Sequence, residues 1–300
     1  MIRHRSFPYF VLFAGVLVAS TASILVRFAM DAGVPALSIA AGRLALASLL
    51  LTPLAWVRVG PELRALSRRD LALAIFSGVS LSFHFATWIS SLAFTSVASS
   101  VALVATNPLW VGLASLLVFR ERLGPLNLFG MAITLVGTLL IGISDTTNST
   151  QPNPLLGNML ALVGAITVSG YLLIGRSLRR RMSVLAYIYV VYTTAAAILV
   201  AWAFLAGQSL LGFPPYVYAL LLAMALGPQL LGHTAFNYAL SAISATFVAI
   251  AILGEPLGSA LMAFFLFGEG IAPLQLTGFL LLLVGILVAS RAEVAVKQAG

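Results

Sequence analysis

Apolar residues run through the chain in long blocks, each closed by a short polar or proline-bearing break. Ten blocks predict helices near 8–30, 36–57, 70–92, 96–119, 126–143, 155–175, 183–206, 216–239, 244–267 and 274–290. Each approaches the ~20 apolar residues that a helix needs to cross the hydrocarbon of a bilayer. The breaks are Pro35, the charged run Arg58 to Asp70, Arg120–Glu121–Arg122, Asp145 to Pro154, Arg176 to Arg181, Pro214–Pro215 and Gly268 to Pro273. Thr95–Ser96 and Ser241–Ser244 separate helices by small polar residues alone, so those hairpins are expected to be tight. The basic start, Met1 to Arg5, runs into an apolar stretch that reaches Val26. A secretory signal has an apolar region of only ~7–15 residues, so this stretch is read as the first span.

Composition agrees with that pattern. The 300 residues are 61% hydrophobic and 8% charged, where a soluble domain is nearer a quarter charged. Lipid must cover most of the surface, and ten spans leave no room for a large soluble domain. There are no cysteines, which excludes disulfides and thiolate metal sites. The net charge of +8 has a topological cause, because basic residues collect in cytoplasmic loops. With the N-terminus cytoplasmic, inside segments hold Arg3, Arg5, Arg58, Arg64, Arg68, Arg69, Arg120, Arg122, Arg176, Arg179, Arg180, Arg181, Arg291 and Lys297. That is 14 of the 16 basic residues, leaving only Arg27 and Arg43. Both termini are therefore expected on the cytoplasmic side.

The chain also repeats itself. Asn107 to Leu140 aligns without gaps on Glu255 to Val288 at an offset of 148, with 13 of 34 positions identical. Apolar composition inflates the leucine matches. It does not easily align Pro108/Pro256, Glu121/Glu269, Pro125/Pro273, Gly130/Gly278 and Gly137/Gly285. Earlier in the chain an offset of 149 pairs Gly15/Gly164, Ser20/Ser169, Arg27/Arg176, Gly78/Gly227, His84/His233 and Ala86/Ala235. Five spans per unit is an odd number, so the second copy enters the membrane from the opposite side. The expected fold is all-α: a polytopic membrane protein of ten transmembrane helices in two inverted five-helix repeats, 1–145 and 155–291. That is a transporter architecture.

Polar residues within spans are expensive in lipid and usually face a cavity or the bundle interior. Ser80, His84 and Trp88 are four apart in the third helix; Gln229, His233 and Asn237 are four apart in the eighth. Residues at i and i+4 share a face, and the two triplets are repeat mates. They are expected to flank a substrate path, with helix-to-helix hydrogen bonding as the alternative. Asn107 and Glu255 are mates as well, each followed by a proline that kinks the helix and frees a carbonyl. Freed carbonyls and a carboxylate suit an ammonium group or a coupling proton; the alternative is a structural bond that holds the kink. Tyr171, in a Ser169–Gly170–Tyr171 interruption of helix six, joins Trp110, Phe83 and Phe247 as candidate apolar wall. Arg43, inside helix two, snorkels, pairs structurally or binds a substrate carboxylate. Glu121 and Glu269 lie at helix ends and are read as structural, in capping or gating. Gly130/Gly137 and Gly278/Gly285, seven apart, predict close helix packing.

Phe119-Arg-Glu-Arg-Leu-Gly-Pro-Leu-Asn-Leu-Phe-Gly130 and Phe267-Gly-Glu-Gly-Ile-Ala-Pro-Leu-Gln-Leu-Thr-Gly278 resemble the paired signature of the drug/metabolite transporter superfamily, EamA type. The resemblance covers nearly the whole chain. It implies a central cavity between the repeats and export of amino acids, other metabolites or drugs, with bacterial amino-acid exporters the nearest likeness. The expected partners are a small-molecule substrate, the bilayer and a coupling proton, in a monomer of the bacterial inner membrane. No cofactor is expected. A multidrug or nucleotide-sugar carrier is the alternative within the superfamily; a phosphate-bearing substrate would want basic residues along the path, and only Arg43 qualifies. A membrane enzyme would need a catalytic pair. The sequence has no Ser–His–Asp order, no His-Glu-x-x-His pair and no phosphate-binding glycine loop. A channel would show flux without saturation.

Overall fold

The computed structural model describes residues 7–119, 124–148, 151–239, 251–252 and 254–299, and these are helical with short connections and no strand. The first span is α1 (Phe7–Ser20) and α2 (Ala22–Asp31), broken at Thr21, whose hydroxyl bonds back to Val18 O at 2.7 Å. Then follow α3 (Ala36–Arg64) and α4 (Arg68–Ser91). The fourth span is α5 (Val97–Val104) and α6 (Asn107–Phe119), and the fifth is α7 (Pro125–Asn148). The second half holds α8 (Pro154–Leu178) and α9 (Val184–Leu205). Its eighth span is α10 (Pro215–Met224), a π-helical stretch (Ala225–His233) and α11 (Thr234–Ala239). The chain ends with α12 (Gly254–Phe267) and α13 (Pro273–Ala299). Seven helices are long and apolar enough to cross a membrane, and Leu128–Ser144, Gly254–Phe267 and Pro273–Gly285 are shorter apolar ones. Together they form the ten-helix, two-repeat membrane architecture.

Local chemistry sets the helix starts. Ser67, Ser96, Asn153 and Ser183 each accept a hydrogen bond from the backbone N–H three residues on, which satisfies a donor that the first turn leaves open. Pro125, Pro154, Pro215 and Pro273 each open a helix, where a missing N–H does no harm. The Thr95–Ser96 hairpin is tight, as its length predicts. Three helices outrun their apolar blocks: α3 continues to Arg64 through Pro53 and Pro61, α7 to Asn148 and α13 to Ala299. An apolar block marks the hydrocarbon slab, whereas a helix can continue into the polar interface beyond it.

Two details depart from the expectation. Helix six is not interrupted at Ser169–Gly170–Tyr171: α8 runs unbroken. Ser169 Oγ contributes there by donating to Asn107 O at 3.0 Å and to Ala165 O at 2.7 Å. The irregular helix is instead the eighth. Pro228 has no N–H for the regular ladder, and the turn around it widens to π geometry.

The helix contacts obey a two-fold exchange of halves. The third span packs on the sixth as the eighth packs on the first, and the fourth packs on the sixth as the ninth packs on the first. The second and seventh spans pair with each other, as do the fifth and tenth. These self-mated pairs are antiparallel. Ser48 Oγ meets Thr193 Oγ1 at 2.7 Å, and Trp56 Nε1, further along α3, donates at 3.3 Å to the earlier Tyr189 hydroxyl. Between α7 and α13 the glycines bring backbones together. A Cβ on Gly137 would lie 2.6 Å from Gly278 O and Leu282 N, and one on Gly285 2.7 Å from Gly130 O.

Candidate functional site

The break in the fourth span and the π stretch of the eighth leave a cavity between the halves, about 740 Å³ including its open mouth. Val101, Val104, Ala105 and Asn107 line it from the fourth span, and Ile252, Glu255 and Pro256 line it from the ninth. These are the two pseudo-equivalent Pro-containing helices. Ala19 and Ala22 contribute from the first span, and Val168, Tyr171 and Leu172 from the sixth. His84 and Trp88 come from the third, and Pro228, His233, Phe236 and Asn237 from the eighth.

Seven of the nine residues picked out from the sequence therefore share this cavity: His84, Trp88, Asn107, Tyr171, His233, Asn237 and Glu255. The other two do not line it. Ser80 Oγ donates to Phe76 O of its own helix at 3.1 Å, on the face where Gly170 meets α4. Gln229 is fully buried beside the cavity, and its Oε1 accepts from Arg43 Nε at 3.1 Å. The remaining candidate walls lie elsewhere. Phe83 is exposed and packs edge-on against Trp202 at 5.3 Å, and Trp110 Nε1 donates to Thr106 Oγ1 at 3.1 Å. Phe247 and Glu121 lie outside the described residues.

The lining is held in place by a second layer. His84 Nδ1 is 3.0 Å from Gly164 O, and since a carbonyl only accepts, Nδ1 is the donor there. The imidazole stacks on Trp88, ring centroids 5.8 Å apart and planes 6° from parallel. Asn237 Nδ2 donates to the Tyr171 hydroxyl at 2.7 Å and to His233 O at 2.8 Å. Tyr171 in turn stacks on Tyr187, whose hydroxyl shares a hydrogen with Ser77 at 2.7 Å. Asn237 and Tyr171 thus tie the eighth span to the sixth within the second half, and the Tyr187–Ser77 contact carries the chain of bonds on to the first half. Glu255 is only partly buried, and its exposure is to the cavity it lines.

Two features carried weaker signals in the sequence. Arg43 does not snorkel: it is fully buried. Beyond the cavity, Arg27 Nη2 and Glu269 Oε1 form an ion pair at 3.3 Å, both side chains 14% exposed. Glu269 Oε2 also accepts from Val97 N at 2.9 Å, and Arg27 Nη2 donates to Thr95 O at 3.1 Å. The cluster ties α2, the α4–α5 turn and the end of α12 together. Arg176, the repeat mate of Arg27, is exposed. Among the described residues no group of three or more His, Cys, Asp or Glu could hold a metal.

A model of the EamA-like transporter family matches the chain twice, over residues 6–143 and 155–291. A solved structure titled only "Crystal structure of protein" is similar in fold, with a TM-score of 0.66 and 17% identity. The match covers 99% of this chain and 100% of that one. No curated protein matches the chain.

Proposed function

The chain belongs to the EamA-like transporter family, and from that premise we propose that it exports small organic metabolites, amino acids first among them, by alternating access. Its two working units are residues 1–145 and 155–291, each carrying one five-helix copy. It works as a monomer in the inner membrane of a bacterium, with both termini in the cytoplasm, where 14 of 16 basic residues then fall.

The observation that carries the substrate reading is the Glu255 carboxylate, which lines the cavity from within a span. A carboxylate placed this way inside a membrane is an acceptor awaiting an ammonium group or a proton. The cavity supplies the rest of a small-molecule site. Its polar lining is sparse: Asn107, the His84 and His233 rings, and the mutually bonded Asn237 and Tyr171. Val101, Val104, Val168 and Leu172 form the apolar wall. A nucleotide-linked substrate would need several cations here, and among the described residues no arginine or lysine lines the cavity.

Alternating access requires each end of the cavity to open while the other is shut. The Arg27–Glu269 cluster shuts one end, the periplasmic one in this orientation. Exchange of the halves' conformations opens that end and closes the other. The direct test is uptake into liposomes that contain the purified protein, with a panel of labelled amino acids, with and without a pH gradient. Saturable, competable uptake of a subset is the expected result. No uptake of any amino acid, in either case, would overturn the amino-acid reading and leave the family and fold standing.

A further inference from the structure

Among the described residues, Arg43 is the buried side chain with the most unpartnered donor atoms. It sits mid-span in α3 with no exposed surface. Nε is used by Gln229, but Nη1 and Nη2, with four N–H between them, have no hydrogen-bond partner. Neither ion pair among the described residues includes it. Its guanidinium carbon stands 4.5 Å from the Phe85 ring centroid and 5.9 Å from that of Trp88. Stacking on aromatic rings contributes only modestly beside the penalty for a buried, unpaired charge. The charge persists in this place, so something must answer it.

Position shows what that is. Trp88 is shared: it faces the guanidinium and also lines the cavity, and its own Nε1 is buried with no partner. Gln229, which orients Arg43, follows the cavity-lining Pro228. Arg43 and Glu255 form no ion pair with each other. One positive and one negative group thus bear on a cavity whose other walls are largely apolar. This is the charge distribution of a zwitterion turned inside out.

Resting on the amino-acid reading above, we infer that Arg43 is a specificity-determining residue whose positive field meets the substrate's carboxylate while Glu255 faces its ammonium, so that the cavity selects neutral, apolar amino acids over amines or acids of the same shape. Arg43 need not touch the substrate. At an effective dielectric of ~20, a unit charge several ångströms away still changes binding by about tenfold or more.

The experiment is calorimetric binding to the purified full-length protein. The probes are L-phenylalanine, phenethylamine (no carboxylate) and 3-phenylpropionate (no ammonium). Wild type is expected to bind L-phenylalanine at least ~10-fold more tightly than either analogue. In Arg43→Gln the preference over phenethylamine falls to within about threefold, and Arg43→Lys restores part of it. In Glu255→Gln the preference over 3-phenylpropionate falls instead. The wild-type series needs no variant, so it decides the matter even if Arg43→Gln does not fold. Equal wild-type affinity for L-phenylalanine and phenethylamine, or equal loss of both in Arg43→Gln, overturns the inference and leaves the amino-acid reading intact. Binding of none of the three, nor of L-leucine, overturns that reading and the inference with it.

Discussion

If the Arg27–Glu269 cluster gates the cavity as proposed, Glu269→Gln should open that end. The carboxylate's contacts include one with Arg27 at 3.3 Å and one with the Val97 N–H at 2.9 Å, both charge-assisted. Glutamine retains one oxygen for two donors, and its amide hydrogens face donors of the same kind. The loss is that of one hydrogen bond to a charged group, about 1.5–3 kcal/mol. These contacts join α2, α5 and the end of α12; in the proposed mechanism they exist only in the closed state, and a few kcal/mol is enough to shift a two-state population. The open fraction should rise about tenfold to a hundredfold. Because the chain has no cysteine, Val101→Cys provides a clean reporter. Val101 lines the cavity one helical turn beyond Val97 and is 4% exposed. The labelling rate of that cysteine with a membrane-impermeant maleimide is compared with and without Glu269→Gln, in vesicles of each orientation. The rate should rise by at least about tenfold from one side only. An unchanged rate from both sides would refute the gating role and leave Glu269 as a helix-end fastener.

Glu255→Gln should reduce proteoliposome export of any accepted amino acid at least tenfold, since ~1.5–3 kcal/mol of charge-assisted hydrogen bonding is removed. Should transport rate and its pH dependence survive, Glu255 only supports the helix. Gly137→Ala should lower the melting temperature in detergent, because its Cβ would stand 2.6 Å from backbone atoms of α13. Overpacking of this kind costs about 1–3 kcal/mol, and an unchanged melting curve would argue against the close α7–α13 contact. Arg181→Ala removes the 3.0 Å ion pair with Asp70. The arginine side chain is 48% exposed, so the loss should stay under about 1 kcal/mol and leave the melting curve nearly unmoved.

The fold was legible because lipid and water impose opposite demands on side chains. The apolar blocks reflect the bilayer, and the register of Glu121/Glu269 and Pro125/Pro273 reflects the duplication. The cavity residues were legible where a polar side chain had no reason to be in lipid, as with His84, His233, Asn237 and Glu255. Ser80 shows the limit of that rule. A serine satisfies itself by bonding back to its own helix, so its presence in a span says little about where it points. Gln229 shares a helical face with His233, yet it was placed by the widened turn at Pro228 and by Arg43, a tertiary partner 186 positions away. The apolar lining was illegible for a different reason: Ala19, Ala22 and Val101 look like any other residues in a span.

The two halves share an ancestral sequence but not one conformation. The first span breaks at Thr21, while its mate α8 runs straight. The eighth span widens at Pro228, while its mate α4 is regular throughout. Arg27 is locked to Glu269, while its mate Arg176 is exposed. Each difference concerns an element that lines the cavity or closes its end. The self-mated pairs behave otherwise: α3 with α9 and α7 with α13 pair antiparallel, and the latter contact is glycine-tight on both helices. On the proposed alternating-access mechanism, the asymmetry falls on the elements that would move, and the antiparallel pairs would supply the frame. An inverted repeat offers a physical reason. If one half can adopt both conformations, so can the other, and the exchanged state is close in energy because it is built from nearly the same contacts with the roles reversed. What then biases the two states are the differences between mates, such as Asn107 against Glu255, and those same differences are where a bound substrate can act on the equilibrium.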